Sequence, residues 1–268
     1  MEYKGFMGGF YRITEWIMRI AGSNLLWLLC SSPFMIVFAM KLLLVLQSPT
    51  PQPETLTIWV MGILAPFTLF PATAALFSVT RKWVMGESDL SIIKVYFKGY
   101  KENYKQSMIG GIFYTLLFAI MYVDYEVYMN QMNNLQMIGM VMLFFLLILF
   151  LSLFNFFSLV SHYHLGAVQL IKNAILFTIL RPFRTLSTLI CAGVLGFLTL
   201  RFGWLIFFGF GSLTAFVAFY NFYIAYNKIQ EKVERMRQSE DSPNTSSNTQ
   251  DDEDLALDLP TSEEKEKD

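Results

Sequence analysis

The stretch MVMLFFLLILFLSLF, Met140–Phe154, decides the fold, because it carries no charge and no helix breaker. Extended to Leu135–Val160 it exceeds the ~20 apolar residues that carry a helix across ~30 Å of hydrocarbon. Lipid offers no hydrogen bonds, so a segment of this kind satisfies its own backbone as a helix. Working outward, five more stretches read the same way: Ile20–Met40 (continued by Leu42–Leu46 beyond Lys41), Thr55–Thr80, Ser107–Val123, Thr185–Leu200 and Phe202–Asn227. Thr185–Leu200 is the short one at about 24 Å; it reaches the interface if Phe183 is included and Arg184 and Arg201 snorkel. The expectation is an all-α, polytopic transmembrane bundle of six spans.

Composition agrees with that class. The chain is 54% hydrophobic and only 15% charged, where soluble domains carry about 25% charged residues. Residues 240–268 hold a net charge of −9, so the near-neutral total of −1 conceals a membrane body of +8. Cys30 and Cys191 both fall inside apolar stretches and read as small buried hydrophobes rather than a disulfide framework. No cleavable signal peptide is expected, since the first long apolar segment, from Ile20, outruns a signal core and lacks a small-x-small exit.

Basic residues give the orientation. Six spans place 18 of the 20 Lys and Arg on one side, with Lys41 and Arg201 alone on the other. The N-terminus, the 81–106 loop, the 162–184 loop and the C-terminus are therefore expected in the cytoplasm. The opposite loops are slight: SPTPQPET, Ser48–Thr55, with three prolines, and the tyrosine-rich turn around Asp124–Asn134. The domain organisation reads as an interfacial amphipathic segment 1–19, a six-span membrane domain 20–230 and an acidic disordered tail 231–268, the last too polar to bury a core.

On the cytoplasmic side, SDLSIIKVYFKGYKENYKQ, residues 88–106, is expected to form an amphipathic helix capped by Ser88 or Asp89. Ile92, Ile93, Tyr96, Phe97, Tyr100 and Tyr104 draw one apolar-aromatic face. Lys94, Lys98, Lys101 and Lys105, spaced four, three and four apart, stack on another. Two readings stay open: a helix lying along anionic headgroups, and a docking surface for a partner. Residues 166–184, with Lys172 and Arg181-Pro182-Phe183-Arg184, repeat the theme. Span, basic helix, span thus occurs at 56–123 and 135–200, an internal pseudo-repeat. Tyr3–Arg19 is a weaker amphipathic lead-in, with Phe6, Phe10, Ile13 and Ile17 on one face. LALDL at 255–259 reads as part of a solvated tail, with partner binding as the sharper option.

No catalytic constellation is present. His162 and His164 stand at the end of the fourth span without nearby acids, so neither metal, cofactor nor enzymatic chemistry is expected of them. Glycine-rich phosphate loops, G-x-S-x-G and H-E-x-x-H are missing, and no nucleic-acid partner is expected. The residues that enter the spans are neutral, chiefly Asn24, Asn155, Ser152, Ser158 and Asn221; Asn24 and Asn155 are candidates for intramembrane polar packing worth about 0.6–2 kcal/mol each. No ionisable group sits at mid-depth, which disfavours a proton-coupled pump. Pro33, Pro66 and Pro71 can break helices and shape a cavity.

Several stretches resemble one family. GGFYRITEWIMRIAGSNLLWLLCSSP, FPATAALFSVTRKW, SIIKVYFKGYKENYKQS and QLIKNAILFTILRPFRTL are similar to the YesL-like bacterial membrane proteins, best through Asn24-Leu25-Leu26-Trp27, Pro71-Ala72-Thr73 and Arg81-Lys82-Trp83. The resemblance covers about residues 5–230 and leaves out the acidic tail. It implies a bacterial cell-membrane protein of no established biochemical function, whose relatives often accompany genes for carbohydrate uptake and ABC-type sugar importers. The expected role is a non-enzymatic accessory or regulatory component contacting the bilayer and ABC permease subunits; the alternative is an independent small-solute carrier or channel. Cutting the chain after Gln238 is expected to leave insertion and folding intact, which expression and detergent elution of the shortened protein check.

Overall fold

The computed structural model describes residues 6–47, 55–87, 90–130 and 135–240, and among them it contains helices and no strand. Ten α-helices follow in order: α1 Phe6–Cys30, α2 Ser32–Gln47, α3 Thr55–Leu64, α4 Phe70–Val84, α5 Ile92–Asn130, α6 Gln136–His162, α7 Ala167–Leu180, α8 Pro182–Arg201, α9 Leu205–Phe208 and α10 Phe210–Glu240. A π turn, Ala65–Leu69, joins α3 to α4.

Four helical stretches are long and apolar enough to cross a membrane: Leu56–Val84, Ile92–Met129, Gln136–His162 and Pro182–Arg201. The expected first span is not one straight helix, because α1 and α2 meet at an angle of 85°. Pro33 supplies the reason, having no N–H to donate to the preceding turn. The Ser31 hydroxyl adds to it by donating to the Trp27 carbonyl at 2.6 Å, beside the Ser31 amide at 2.9 Å. The bent pair makes a fifth crossing if it counts as one span. The expected sixth span, 202–227, falls on a turn, α9 and most of α10. Its Asn221 and Asn227 and three tyrosines, Tyr220, Tyr223 and Tyr226, lower its hydropathy. A helix enclosed by protein tolerates such residues because it meets little lipid, and α10 buries Ala215, Ala218, Phe219, Phe222, Ala225 and Tyr226.

At the centre lies α4. It buries Phe70, Pro71, Ala72, Ala74, Ala75, Leu76, Phe77, Val79, Thr80 and Trp83, nearly its whole circumference, as expected of a helix hydrophobic on every side. The alanines let α1, α5, α6 and α10 approach closely. Antiparallel packing of α5 on α6 is marked by Tyr114 against Ser152, Gly110 against Phe156 and Gly139 against Met129.

Several expected boundaries move. The amphipathic helix 88–106 and the span 107–123 are one continuous helix, α5, of 39 residues, about 58 Å long. Ser88 and Asp89, the expected caps, lie outside the described residues. Within 166–184, α7 folds back on α6 and buries Leu170, Ile171, Asn173, Ala174, Phe177 and Thr178, with Val168, Gln169 and Lys172 exposed. It stops at Arg181, which takes φ −126° and ψ 57°, because the residue before a proline is driven out of the helical region. The two halves of the pseudo-repeat therefore differ, one return helix being continuous and the other broken at Pro182. Residue 19 lies inside α1 and residue 231 inside α10. Most of Ser48–Thr55, residues 131–134 and the tail from 241, with LALDL, lie outside the described residues.

Gly111 of α5 packs against the π turn, where a Cβ would stand 2.8 Å from the Pro66 Cα. Gly111→Ala therefore forces α5 away from the π turn, and a loss of about 1–3 kcal/mol is expected, as for other overpacked sites. Thermal unfolding of the purified protein in detergent measures it.

Candidate functional site

Two stripes on α5 organise its surface. The buried one runs Tyr96, Gly99, Asn103, Ser107, Gly110, Tyr114, recurring every three or four residues as a packed helix face must. Tyr96 donates to the Ala72 carbonyl at 3.1 Å, Asn103 Nδ2 to Ser78 Oγ at 3.0 Å, and the Tyr114 and Ser152 hydroxyls pair at 2.7 Å. The expected apolar-aromatic face is thereby divided: Tyr96 is fully buried, whereas Ile93 is 60% and Phe97 48% exposed.

The outer stripe holds Lys94, Lys98, Lys101 and Lys105, all exposed. Lys98 lies 3.7 Å from Glu102, both solvent-facing, an ion pair of little energetic weight. Beyond Lys105 the same azimuth continues as Ile109, Ile112, Leu116 and Ile120, also exposed. A single unpartnered face therefore changes from cationic to apolar within one turn. That change marks where the helix leaves water for hydrocarbon.

The basic end of the bundle is tied by side chains whose role sequence reading missed. Arg81 Nη1 donates to the Ser161 carbonyl at 2.8 Å, at the end of α6, where a cation suits the negative end of the helix dipole. Lys82 pairs with Glu87 across a turn in which Gly86 adopts φ +88°, a conformation glycine takes without steric cost. Trp83 meets Trp16 edge to face at 5.6 Å. His162 is buried among Tyr163, Phe219, Phe222 and Tyr226, while His164 is exposed. The two histidines thus share no site. Among the described residues no group of three or more His, Cys, Asp or Glu is placed to hold a metal. Burial, and then the neighbouring Tyr226, push the Tyr163 phenol far above its ordinary range.

Inside the bundle Asn24 makes four hydrogen bonds to backbone. Its Nδ2 donates to the Ile206 and Phe207 carbonyls at 2.8 Å each, and its Oδ1 accepts from the Gly211 and Ser212 amides at 2.9 and 3.2 Å. These carbonyls belong to the end of α9 and these amides to the start of α10, groups that a helix terminus leaves without partners. The Ser23 and Ser212 hydroxyls pair alongside at 2.8 Å. Asn155 Nδ2 reaches Thr178 Oγ1 at 2.8 Å and Thr185 Oγ1 at 3.4 Å, bracketing the α7–α8 break, and Asn221 Nδ2 donates to Thr188 Oγ1 at 3.1 Å. Sequence gave these residues an intramembrane position; it gave no sign of which breaks they face, because α9 and the Gly209 interruption sit within a stretch that reads as one span.

Between α1, α4, α6, α8 and α10 lies a cavity of about 380 Å³. Trp27, Phe70, Phe154, Phe157 and Leu189 form much of its wall, with Thr73 and Thr214 as the hydroxyl-bearing residues. Thr73 already donates to the Leu69 carbonyl at 2.7 Å and accepts from Trp27 Nε1 at 3.1 Å. The wall carries no charged side chain.

A model of the family described as "Protein of unknown function, DUF624" matches residues 20–125, which hold Asn24, α4 and the lysine stripe. Three proteins of Bacillus subtilis (strain 168), each named only as uncharacterized, are similar to the chain. YteU is 32% identical over 124 residues, 46% of this chain and 43% of its own length. YesL is 25% identical over 235 residues, 85% of this chain and 94% of YesL. YesV is 30% identical over 177 residues, 61% of this chain and 85% of YesV. This chain thus spans less than half of YteU but most of the other two. No solved structure matches.

Asn24→Leu strands the four backbone groups at the α9–α10 break. The variant is expected to lose at least roughly 1–3 kcal/mol, the cost of one buried unsatisfied group, read as a lower melting temperature in detergent.

Proposed function

We propose that this chain, which belongs to the DUF624 family of proteins of unknown function, is a non-enzymatic accessory subunit of an ABC-type carbohydrate importer in a bacterial cell membrane. In this reading both termini face the cytoplasm, and the outer stripe of α5 is the surface that meets the permease. One observation carries it: four exposed lysines continue without a break into four exposed apolar residues along one helix face. A permease crossing the same bilayer presents both surfaces in register, an apolar flank and a headgroup-level rim where acidic side chains can meet the lysines. The carbohydrate assignment is supported by the resemblance to YesL-like proteins, whose names describe no activity.

The alternative is an independent carrier. A sugar in the cavity would find two hydroxyl-bearing residues against a wall of aromatic and aliphatic groups. Each sugar hydroxyl left without a partner costs about 1–3 kcal/mol, so this lining favours the accessory reading over sugar passage through that cavity.

The test is co-purification from a detergent extract of cells carrying the importer. The parent chain is expected to bring down permease subunits. The combined Lys94→Glu, Lys98→Glu, Lys101→Glu and Lys105→Glu variant is expected to lose them while keeping its melting temperature, since exposed substitutions shift stability by only about 0.5 kcal/mol each. Recovery of no permease by the parent, or equal recovery by both, would refute the proposal.

A further inference from the structure

The cavity is open on one side, and its wall identifies which. Most of its lining on α1, α4 and α10 is buried or half-buried, whereas Phe150 of α6 and Gly193 of α8 are exposed. Asn155 and Thr185 draw α6 and α8 together near the start of α8, but α6 packs chiefly on α5, α7 and α4 and α8 chiefly on α10, with little contact between α6 and α8 themselves. The opening therefore lies between them. Leu147, one turn from Phe150 on α6, and Ile190 and Phe197, one turn either side of Gly193 on α8, are exposed by 42%, 59% and 69%. These residues belong to stretches apolar enough to cross a membrane, so the opening faces hydrocarbon rather than water.

Water is a poor occupant of such a space. An ordered buried water needs about two to four polar partners. Here Thr73 is already engaged as donor and acceptor, which leaves chiefly the buried, unpartnered hydroxyl of Thr214. An empty groove is also unfavourable, because its lining forfeits dispersion contacts on one side. The volume of about 380 Å³ falls at the lower end of the range of small-molecule sites, roughly 300–1,000 Å³, whose walls are mostly apolar. The material at the opening is lipid tail.

We propose that the groove between α6 and α8 is a lipid site that takes one acyl chain of a membrane phospholipid, seated against Trp27. This goes beyond the docking role of α5 and stands independently of it, on a different part of the bundle.

Trp27 supplies the reporter. In a full-length chain carrying Trp16→Phe, Trp59→Phe, Trp83→Phe and Trp204→Phe, the remaining indole forms part of the groove wall. The protein is placed in vesicles of phosphatidylglycerol with dibrominated acyl chains and in matched unbrominated vesicles, bromine being a short-range quencher of indole emission. Quenching of Trp27 is expected. Gly193→Phe is expected to abolish it by filling the opening, since a Cβ at Gly193 meets nothing within 4 Å. Leu198→Phe, exposed on the far side of the same helix and outside the groove wall, is expected to leave quenching unchanged. Ala192→Phe is the second blocking variant if Gly193→Phe elutes as aggregate. If the four-fold tryptophan variant fails to fold, the parent chain with and without the blocking substitution gives the same difference. Absence of quenching, or equal quenching with the groove open and blocked, would overturn the proposal, the latter showing that Trp27 senses only lipid around the outside of the bundle.

Discussion

Hydrocarbon cannot hydrogen-bond, so every place where a helix stops inside an apolar bundle must find partners for its backbone within the protein. This chain interrupts its helices at Ser31, at Arg181 and around Gly209, and polar side chains attend each interruption. Ser31 uses its own hydroxyl on the Trp27 carbonyl. Asn155 bridges Thr178 and Thr185 on either side of Arg181. Asn24 satisfies two carbonyls and two amides across Gly209. The carboxamide suits that last task because it alone among neutral side chains offers two donors and a two-lone-pair acceptor on one rigid plane. The relative placement of α1, α9 and α10 follows from it: the start of α10 is held at Asn24, and Trp27, one turn further along α1, reaches Thr73 on α4.

Held in this way, α4 is enclosed and α5 is left with one face inward and one outward. The inward face is small or hydrogen-bonding, Gly99, Asn103, Ser107 and Gly110, which lets α5 lie close to α4 and α6. Nothing within the described bundle covers the outward face. Its lysines cannot enter hydrocarbon without severe cost, and its isoleucines gain nothing from water. The depth of α5 in the membrane is therefore fixed by its own sequence at the Lys105–Ile109 step.

Much of the architecture could be read from the sequence because a charge-free run of twenty residues has few other uses. The helical class and the apolar character of α3 to α6 and α8 follow from composition alone. What could not be read depends on packing in three dimensions. The lysine spacing on 94–105 marks a stripe correctly but does not say whether the helix ends at Gln106 or runs on, and it runs on to Asn130. Ile93 and Phe97 share a period with Tyr96, yet of the three only Tyr96 is buried, its hydroxyl on the Ala72 carbonyl. Pro33 and Pro182 announce interruptions; whether a proline bends a chain by 85° or merely widens a turn depends on surroundings that the local sequence does not contain. The family resemblance adds membership and leaves activity open, since the matched relatives are themselves uncharacterized.

The π turn at Ala65–Leu69 closes with the Phe70 amide on the Ala65 carbonyl, five residues back instead of four. One extra residue in a turn rotates everything downstream by about 100° relative to an uninterrupted α-helix. Upstream, Leu56, Ile58, Trp59 and Ile63 look outward; downstream, α4 is enclosed. The crossing thus works as two rods joined out of phase, and a one-residue insertion or deletion near Pro66 would re-clock one half against the other while leaving its hydropathy untouched.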